Sequence, residues 1–528
     1  MRRTVSFGLV AAAVAVAVVA PSASARVLRV GTYKGIKGQF STIQAAVNAA
    51  KPGDWILIGP GDYKTTSSQS PKGYPDFPAG VLITQAGLYL RGMNRNTVVI
   101  DGTKPGSSKC SAKTSAQNFG PKLSGKAAGL NGVMVWKAPN VWVQNMTVCN
   151  FLGGAAGDGG SGNEVWWNGG AGSGKIGGHG YLGSYLTATS TYFKTEATAA
   201  QYGIFSSNWN GGTWDQTYSS NFNDSDYYIG ACLQECNQVV DHAWGEFSAL
   251  GYSGSNSGGS LIIKNSQFDN NQDGFDTNSQ NGDNPPPQNG ACPNNGTSPI
   301  THTHSCWVFE NNYVHDNNNP NVPALGSAAA GPVGTGMTVS GARNDTIMQN
   351  RFVNNNAWGF AIVAYPDSGP PCTGGTLNSP LLGKGSCLYD DWGNSLLDNS
   401  FSHNGGYGNP TNGDFEQLNL ESHPSNCFAG NTDTSGHLNS AAAALETKYP
   451  TCSSTPVSPN INVPFLNEVL CDTQVTLTGF GCQPGDHYPR RTKVVMHALP
   501  PASKLPTMPN PCKGVPANPW CLAHKAND

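Results

Sequence analysis

Four short stretches decide how this chain folds: Gly203-Ile204-Phe205, Asp226-Tyr227-Tyr228-Ile229, Gly251-Tyr252-Ser253 and Gly274-Phe275-Asp276-Thr277. Aligned on Ile204, Tyr227, Tyr252 and Phe275, they recur at steps of 23, 25 and 23 residues. Gly336-Met337-Thr338-Val339 and Gly359-Phe360-Ala361-Ile362 repeat at 23 residues, and Gly80-Val81-Leu82-Ile83 and Gly132-Val133-Met134-Val135 read as earlier copies. A unit this short cannot bury its own apolar face, whereas stacked copies bury a continuous core, and the period matches one coil of a parallel β-helix. An antiparallel sandwich would place hairpin turns every 8–12 residues or so, and a propeller would show longer units of four strands.

A second repeat runs between these strands: Asn265…Phe268-Asp269-Asn270-Asn271, Asn311-Asn312-Tyr313…Asp316-Asn317, Asn350-Arg351-Phe352…Asn354-Asn355 and Asn399-Ser400-Phe401…His403-Asn404. An aromatic is expected to point inward, with Asn at the turn. Asn tolerates left-handed backbone angles, and stacked Asn side chains can bond from coil to coil. The expected fold is therefore all-β, a right-handed parallel β-helix built as a single-stranded solenoid.

At the start, Arg2-Arg3, the apolar run Phe7 to Ala20 and Ala23-Ser24-Ala25 form a secretory signal. Twin-arginine export is the alternative to the general route. No later apolar stretch approaches the roughly 20 residues that cross a bilayer, so no membrane span is expected and the mature chain is expected to be secreted. The sequence divides into a signal peptide (1–25), the solenoid (26–448) and a Cys- and Pro-rich C-terminal cap or extension (449–528). With 12% charged residues and a net charge of −3, nothing calls for a nucleic-acid or anionic-membrane partner. A monomer is expected.

The 14 cysteines all follow the signal, in a chain bound for an oxidising compartment. Taken in order they pair as Cys110/Cys149, Cys232/Cys236, Cys292/Cys306, Cys372/Cys387, Cys427/Cys452, Cys471/Cys482 and Cys512/Cys521, a connectivity that sequence alone does not determine. Cys232-x-x-x-Cys236 is near zinc-ligand spacing, but no second pair follows at finger-like distance.

Because strand side chains alternate, Phe205, Tyr228, Ser253, Asp276, Thr338 and Ala361 should form one outward stack, flanked by Ser207, Gly230, Ser255, Asn278, Ser340 and Val363. Beside it, residues 269–278 followed by Asp283 concentrate carboxylates and amides around one coil. Asp269, Asp273, Asp276 and Asp283 are the expected Ca²⁺ ligands, since hard cations take 6–8 oxygens. The stretch matches the first half of a helix–loop–helix calcium loop, but Gln280 stands where the bidentate Glu belongs. The plainer alternative is that these residues only form turns. Asp241-His242 offers a carboxylate–imidazole pair for base catalysis or metal binding, or a turn contact. Among the aromatics, Tyr228, Trp244 and Trp209 are candidates to stack on sugar rings, with Asn278 as a polar contact.

Phe40 to Tyr63, with Ser41 or Thr42 capping a short helix and Lys51-Pro52-Gly53-Asp54 ending it, resembles the opening of pectin-lyase-like proteins, in which such a helix caps the solenoid. From about Gly31 to Tyr449 the chain resembles the right-handed parallel β-helix repeat proteins of the pectin-lyase-like superfamily, and Asp273-Gly274-Phe275-Asp276 is similar to motifs of secreted pectin-degrading enzymes. The resemblance implies an extracellular polysaccharide as partner and a Ca²⁺-assisted lyase as activity. Asp276 and Asp273 would hold the ion or react directly, Lys264 or Arg343 would take the proton, and Arg343 would face the acidic sugar. It equally implies a glycoside hydrolase using Asp273 and Asp276, or a non-catalytic binder or cell-envelope scaffold, since the fold hosts all three.

Overall fold

A computed structural model describes residues 25–522 except 66–67, 155–159, 171–174, 233–234, 256, 258, 279–306, 367–371, 373–375, 378–386, 421–424, 452–456 and 460. Residues 1–24, on which the expected signal peptide falls, and Asp283, Cys292, Cys306 and Cys452 lie outside these.

The chain is a parallel β-helix, with the right-handed turn that connections between parallel strands adopt. Each central coil runs over three faces. Tyr202–Ser207 lies on the first, a ten-stranded parallel sheet, and Gly212–Ser220 then bends across the second and third, which belong to a 19-stranded parallel assembly. The bend sits at Gln216, whose φ is +57°. One coil later Ser225–Gly230 and Glu235–Glu246 repeat the course, bending at His242 with φ +51°.

The expected register of the first face is the observed one: Phe205 pairs with Tyr228, Tyr228 with Ser253, Ser253 with Asp276, Asp276 with Thr338 and Thr338 with Ala361. Their inward neighbours Ile204, Tyr227, Tyr252, Phe275, Met337 and Phe360 are fully buried in the main core. On the third face Phe268, Val314, Phe352 and Phe401 make the inward row. This corrects the inward expectation for Tyr313, which pairs with Gln267 and is half-buried on the outer side. Val314 takes the core position instead.

Corners are the costly part of such a coil, because a bent backbone cannot present its N–H to the next coil's carbonyl. Here Asn side chains supply the missing acceptors. Ala243 N–H donates to Ser266 Oγ (3.0 Å) and Ser266 N–H to Asn312 Oδ1 (2.9 Å). Asn312 N–H donates to Asn350, Asn350 N–H to Asn399 and Asn399 N–H to Asn431. Each of these side chains follows a left-handed corner residue, among them His242, Asn265, Asn311, Gln349 and Asp398. At the next corner Ser248, Asn271, Asn317, Asn355 and Asn404 form a parallel ladder.

Helices cover both ends of the core. Helix α1 (Ile43–Ala49) begins at Thr42, whose side chain accepts the Ala45 N–H, and buries Ile43, Ala46 and Val47. Its Gln44 amide bonds to both the N–H and the carbonyl of Leu82, occupying the free edge of the first face. At the far end α2 (Ser440–Lys448) buries Ala442 and Leu445. Its Glu446 accepts the Asn431 N–H and so terminates the ladder.

After α2, helix α3 (Val463–Thr473) packs on the outer side of the first face through Phe465 and Leu466. The chain then returns along the solenoid as a strap. Val495 N–H bonds Asn321, His497 exchanges backbone bonds with the Asn221 amide, Thr507 and Met508 bond Asn145 Oδ1, and Arg91 donates to the carbonyls of Pro511 and Lys513. It ends at the first coil, where Trp520 Nε1 donates to Ile36 O (2.9 Å).

Five expected disulfides are present: Cys110–Cys149, Cys232–Cys236, Cys372–Cys387, Cys471–Cys482 and Cys512–Cys521. Cys427 is also disulfide-bonded. Such bridges are compatible with an extracellular protein. Among the described residues no helix is long and apolar enough to cross a membrane.

Replacing Asn350 by Ala removes the acceptor of the Asn312 N–H and leaves the Asn399 and Phe309 carbonyl groups short of a donor. Equilibrium unfolding in guanidinium chloride should show a loss of about 2–4 kcal/mol. A loss below about 0.5 kcal/mol would show that the ladder is not what holds the corners.

Candidate functional site

Three successive strands of the third face place acidic, imidazole and aromatic side chains in two outward rows. The register pairs Trp244 with Gln267 and Gln267 with Tyr313, and in the adjoining row Glu246 with Asp269 and Asp269 with His315. Adjacent coils lie about 4.8 Å apart. Glu246 and Asp269 are only 5% and 3% exposed, whereas Trp244, Tyr313 and His315 are half-buried.

The two carboxylates have unlike surroundings. Glu246 accepts one bond, from Tyr218 Oη (2.7 Å), and burial, with help from the Asp269 charge, pushes its carboxyl up to about 7. Asp269 accepts Trp244 Nε1 (2.7 Å), Gln267 Nε2 (2.9 Å) and Asn270 Nδ2 (2.6 Å), and His315 Nε2 lies 3.9 Å away. Burial raises Asp269 too, but the imidazole and these donors oppose the rise. Adjacent carboxyls with unlike environments can divide acid and base roles. The His315 ring is fixed by Asp316 at Nδ1 (2.6 Å) and by stacking on Tyr313 (3.9 Å), while Arg351 lies over the Tyr313 ring (4.1 Å).

Of the residues expected from sequence, only Asp269 and Trp244 belong here. Glu246 closes the Asp241-His242-Ala243-Trp244-Gly245-Glu246 stretch that offers the Asp–His pair, but no role is read for it there, nor for Tyr218, Tyr313 or His315, although Trp244-Gly245-Glu246, Gln267-Phe268-Asp269 and Tyr313-Val314-His315 occupy matching places in the repeat. Applying the alternation rule to the third face, as to the first, would have aligned them.

Of the expected calcium set, Asp273 and Asp276 stay together while Asp269 is on another face, and Asp283 is outside the described residues. Asp269 is on the third face, Asp276 begins a first-face strand and Asp273 precedes it on the outer side of the same face. Asp273 and Asp276 line an apolar chamber of 440 Å³ beneath α3, and neither Arg343 nor Lys264 is among its walls. Arg343 is buried, with its guanidinium over Trp392 and its Nε donating to the Asp390 carbonyl. Lys264 lies on the second face, 3.9 Å from Asp241. His242 occupies a left-handed corner, half-exposed, with Nδ1 2.8 Å from Asp241 and 3.5 Å from Asp215. Arg343 and Lys264, the cation and the base expected for a lyase at Asp276, are therefore not brought to its chamber.

Trp209 is fully buried in the main core, so the expectation that it binds sugar is corrected. Tyr228 is on the outer stack as expected, half-buried between Phe205 and Tyr202. Beside it the Tyr202 hydroxyl donates to Asp224 (2.9 Å), which burial pushes up to about 7. Asn278 is on the strand Asp276–Asn278, and its side chain is outside the described residues.

No family model matches the sequence, and no curated protein matches it. Solved structures do. The A-module of the Azotobacter vinelandii mannuronan C-5 epimerase AlgE6 is 12% identical, with a TM-score of 0.43, over 74% of this chain and 94% of that one. A mutant tailspike protein of E. coli bacteriophage HK620, in complex with a pentasaccharide, is 11% identical with a TM-score of 0.40, over 75% of this chain and 63% of that one. Pectate lyase Pel9A is 13% identical with a TM-score of 0.34, over 83% and 89%. Likeness this distant carries no argument about activity, which rests on the side chains above.

The buried carboxyls make a sign prediction. Glu246, Asp224 and Glu416 are pushed to about 7, and Asp273 well above its usual range, all chiefly by burial. The folded chain keeps protons that the unfolded chain releases from about pH 4, so stability falls as pH rises from there through 7. Melting should occur at lower temperature at pH 8 than at pH 5.5. Glu246→Gln should reduce that difference by of the order of 1–3 kcal/mol, and an unchanged slope would contradict the placement of Glu246.

Proposed function

We propose that this protein is an extracellular enzyme that hydrolyses a polysaccharide on its third face. The observation that carries this reading is the pairing of Glu246 with Asp269 on adjacent coils in unlike surroundings, beside a row of half-buried aromatics. A carboxyl near 7 still carries its proton at neutral pH, so Glu246 is suited to protonate the leaving oxygen. Asp269, supported by three donors and an imidazole, is suited to meet the positive charge that develops on the sugar. Trp244 offers a flat face for a sugar ring, and Tyr218, which is buried, orients Glu246.

A spacing of one coil favours the short carboxyl separation, about 5–5.5 Å, at which the second carboxylate attacks the anomeric carbon and configuration is retained. A second reading, β-elimination on a uronan, is favoured by one observation: the buried His315 Nε2 has no hydrogen-bond partner among the described residues, and exposed Arg351 lies over the neighbouring Tyr313 ring, where it could face a uronate carboxylate.

Incubation with neutral glycans and with uronans, followed by reducing-end release and by ultraviolet absorbance of unsaturated products, separates these outcomes. Hydrolysis predicts reducing ends without absorbance. Glu246→Gln and Asp269→Asn should each lower kcat by about 10²–10⁴, with activity falling above pH 7, while Lys264→Ala leaves the rate unchanged. Absorbance lost in His315→Gln would establish elimination instead, and no product of either kind would leave a non-catalytic binder.

A further inference from the structure

The chamber beneath α3 has no part in that chemistry. Its lid is the α3 face carrying Leu466, Val469 and Leu470, and its walls include Leu388, Leu418 and Leu420. Its floor is the outward stack of the first face, where small side chains leave room. Ala361 replaces the aromatics that fill the same stack at Phe205 and Tyr228. At 440 Å³ the chamber falls in the range of small-ligand sites, apolar with a few convergent polar groups. An empty apolar space of this size would forfeit dispersion contacts over its whole lining.

The polar groups converge at one end. Asp273, with no exposed surface, lines the chamber and accepts the Thr338 hydroxyl (2.7 Å) and the Phe275 N–H (3.3 Å). Asp276 accepts the Ser340 hydroxyl (2.7 Å). Both hydroxyls of this end are thus already spent as donors to carboxyls. Burial and the neighbouring Asp276 charge keep the proton on Asp273, so the negative charge and acceptor oxygen that the end presents are those of Asp276. A carboxylate or phosphate head group would meet like charge there. A hydroxyl or an ammonium would meet its complement.

We propose that this chamber binds an amphiphile whose apolar chain packs against α3 and whose hydroxyl or ammonium head lies at Asp273 and Asp276. The ligand class follows from the lining alone and does not depend on the hydrolase reading.

The test uses the full chain and three probes of equal chain length, dodecan-1-ol, dodecylamine and laurate, each below its micelle-forming concentration. Melting should rise by several degrees with the alcohol and the amine and by less than about one degree with laurate at the same concentration, because ligand binding to the folded state adds stability by mass action. Leu470→Trp should abolish the rise by filling the chamber, and Val469→Phe does the same if that variant fails to fold. Asp276→Asn should reduce the preference for the amine over laurate at least fivefold by calorimetric titration. Equal shifts with laurate, a shift that survives the filled chamber, or no shift with any probe would each overturn the proposal. None of these outcomes depends on whether a glycan is cleaved.

Discussion

From Asn145 onward the coils turn corners at left-handed residues, and the N–H that follows must find an acceptor inside the core. The stacked Asn amides meet that need: each accepts from the coil before it and donates to a carbonyl there, as Asn350 does with Asn312 and Phe309. A buried, unpaired peptide group would cost about 1–3 kcal/mol at each corner, repeated along the solenoid. Only a residue that is short, carries both donor and acceptor and stands beside a left-handed neighbour can serve, which is why Asn recurs with the coil period. The ladder also has to end, and the carboxylate of Glu446 closes it where no further coil follows.

With corners locked, the alternation of side chains becomes a rigid address. Residues one coil apart stand over one another on the same face, so function depends on which types recur at one address. On the third face the outward rows collect Trp244, Glu246, Asp269, Tyr313 and His315. On the first they run from aromatic, through Ser253 and Asp276, to the small Ala361, and the space left there is roofed by α3. The same lattice thus makes a polar strip on one face and an apolar chamber on another.

The solenoid, the first-face register and five disulfide pairs were legible because each depends on local order, whether a period, a parity or a neighbouring cysteine. The choice of functional face was not. Asp273 and Asp276 stand out in the sequence as a dense acidic run, yet one lies in the floor of the chamber with Thr338 and the other bonds Ser340. Glu246 and His315 are inconspicuous alone and acquire meaning only when placed above and below Asp269. Arg343 looked free to face a substrate, but its turn meets Trp392 and Asp390. Trp209 lies opposite Gly178, whose missing side chain leaves room for its indole. Nor did the Pro-rich composition of the last residues reveal α3 or the path of the strap.

The strap changes the kind of object the solenoid is. A stack of coils normally touches only its neighbours, so either end can fray without consulting the other. Here residue 520 bonds residue 36, and the segment between spans the intervening coils through Asn321, Asn221 and Asn145. Loss of the first coil therefore loosens the last segment, and a linear array acquires the cooperativity of a closed circuit. There is also an order in time. The earliest coils to be made wait for the strap, which follows them by hundreds of residues, before their outer contacts are complete.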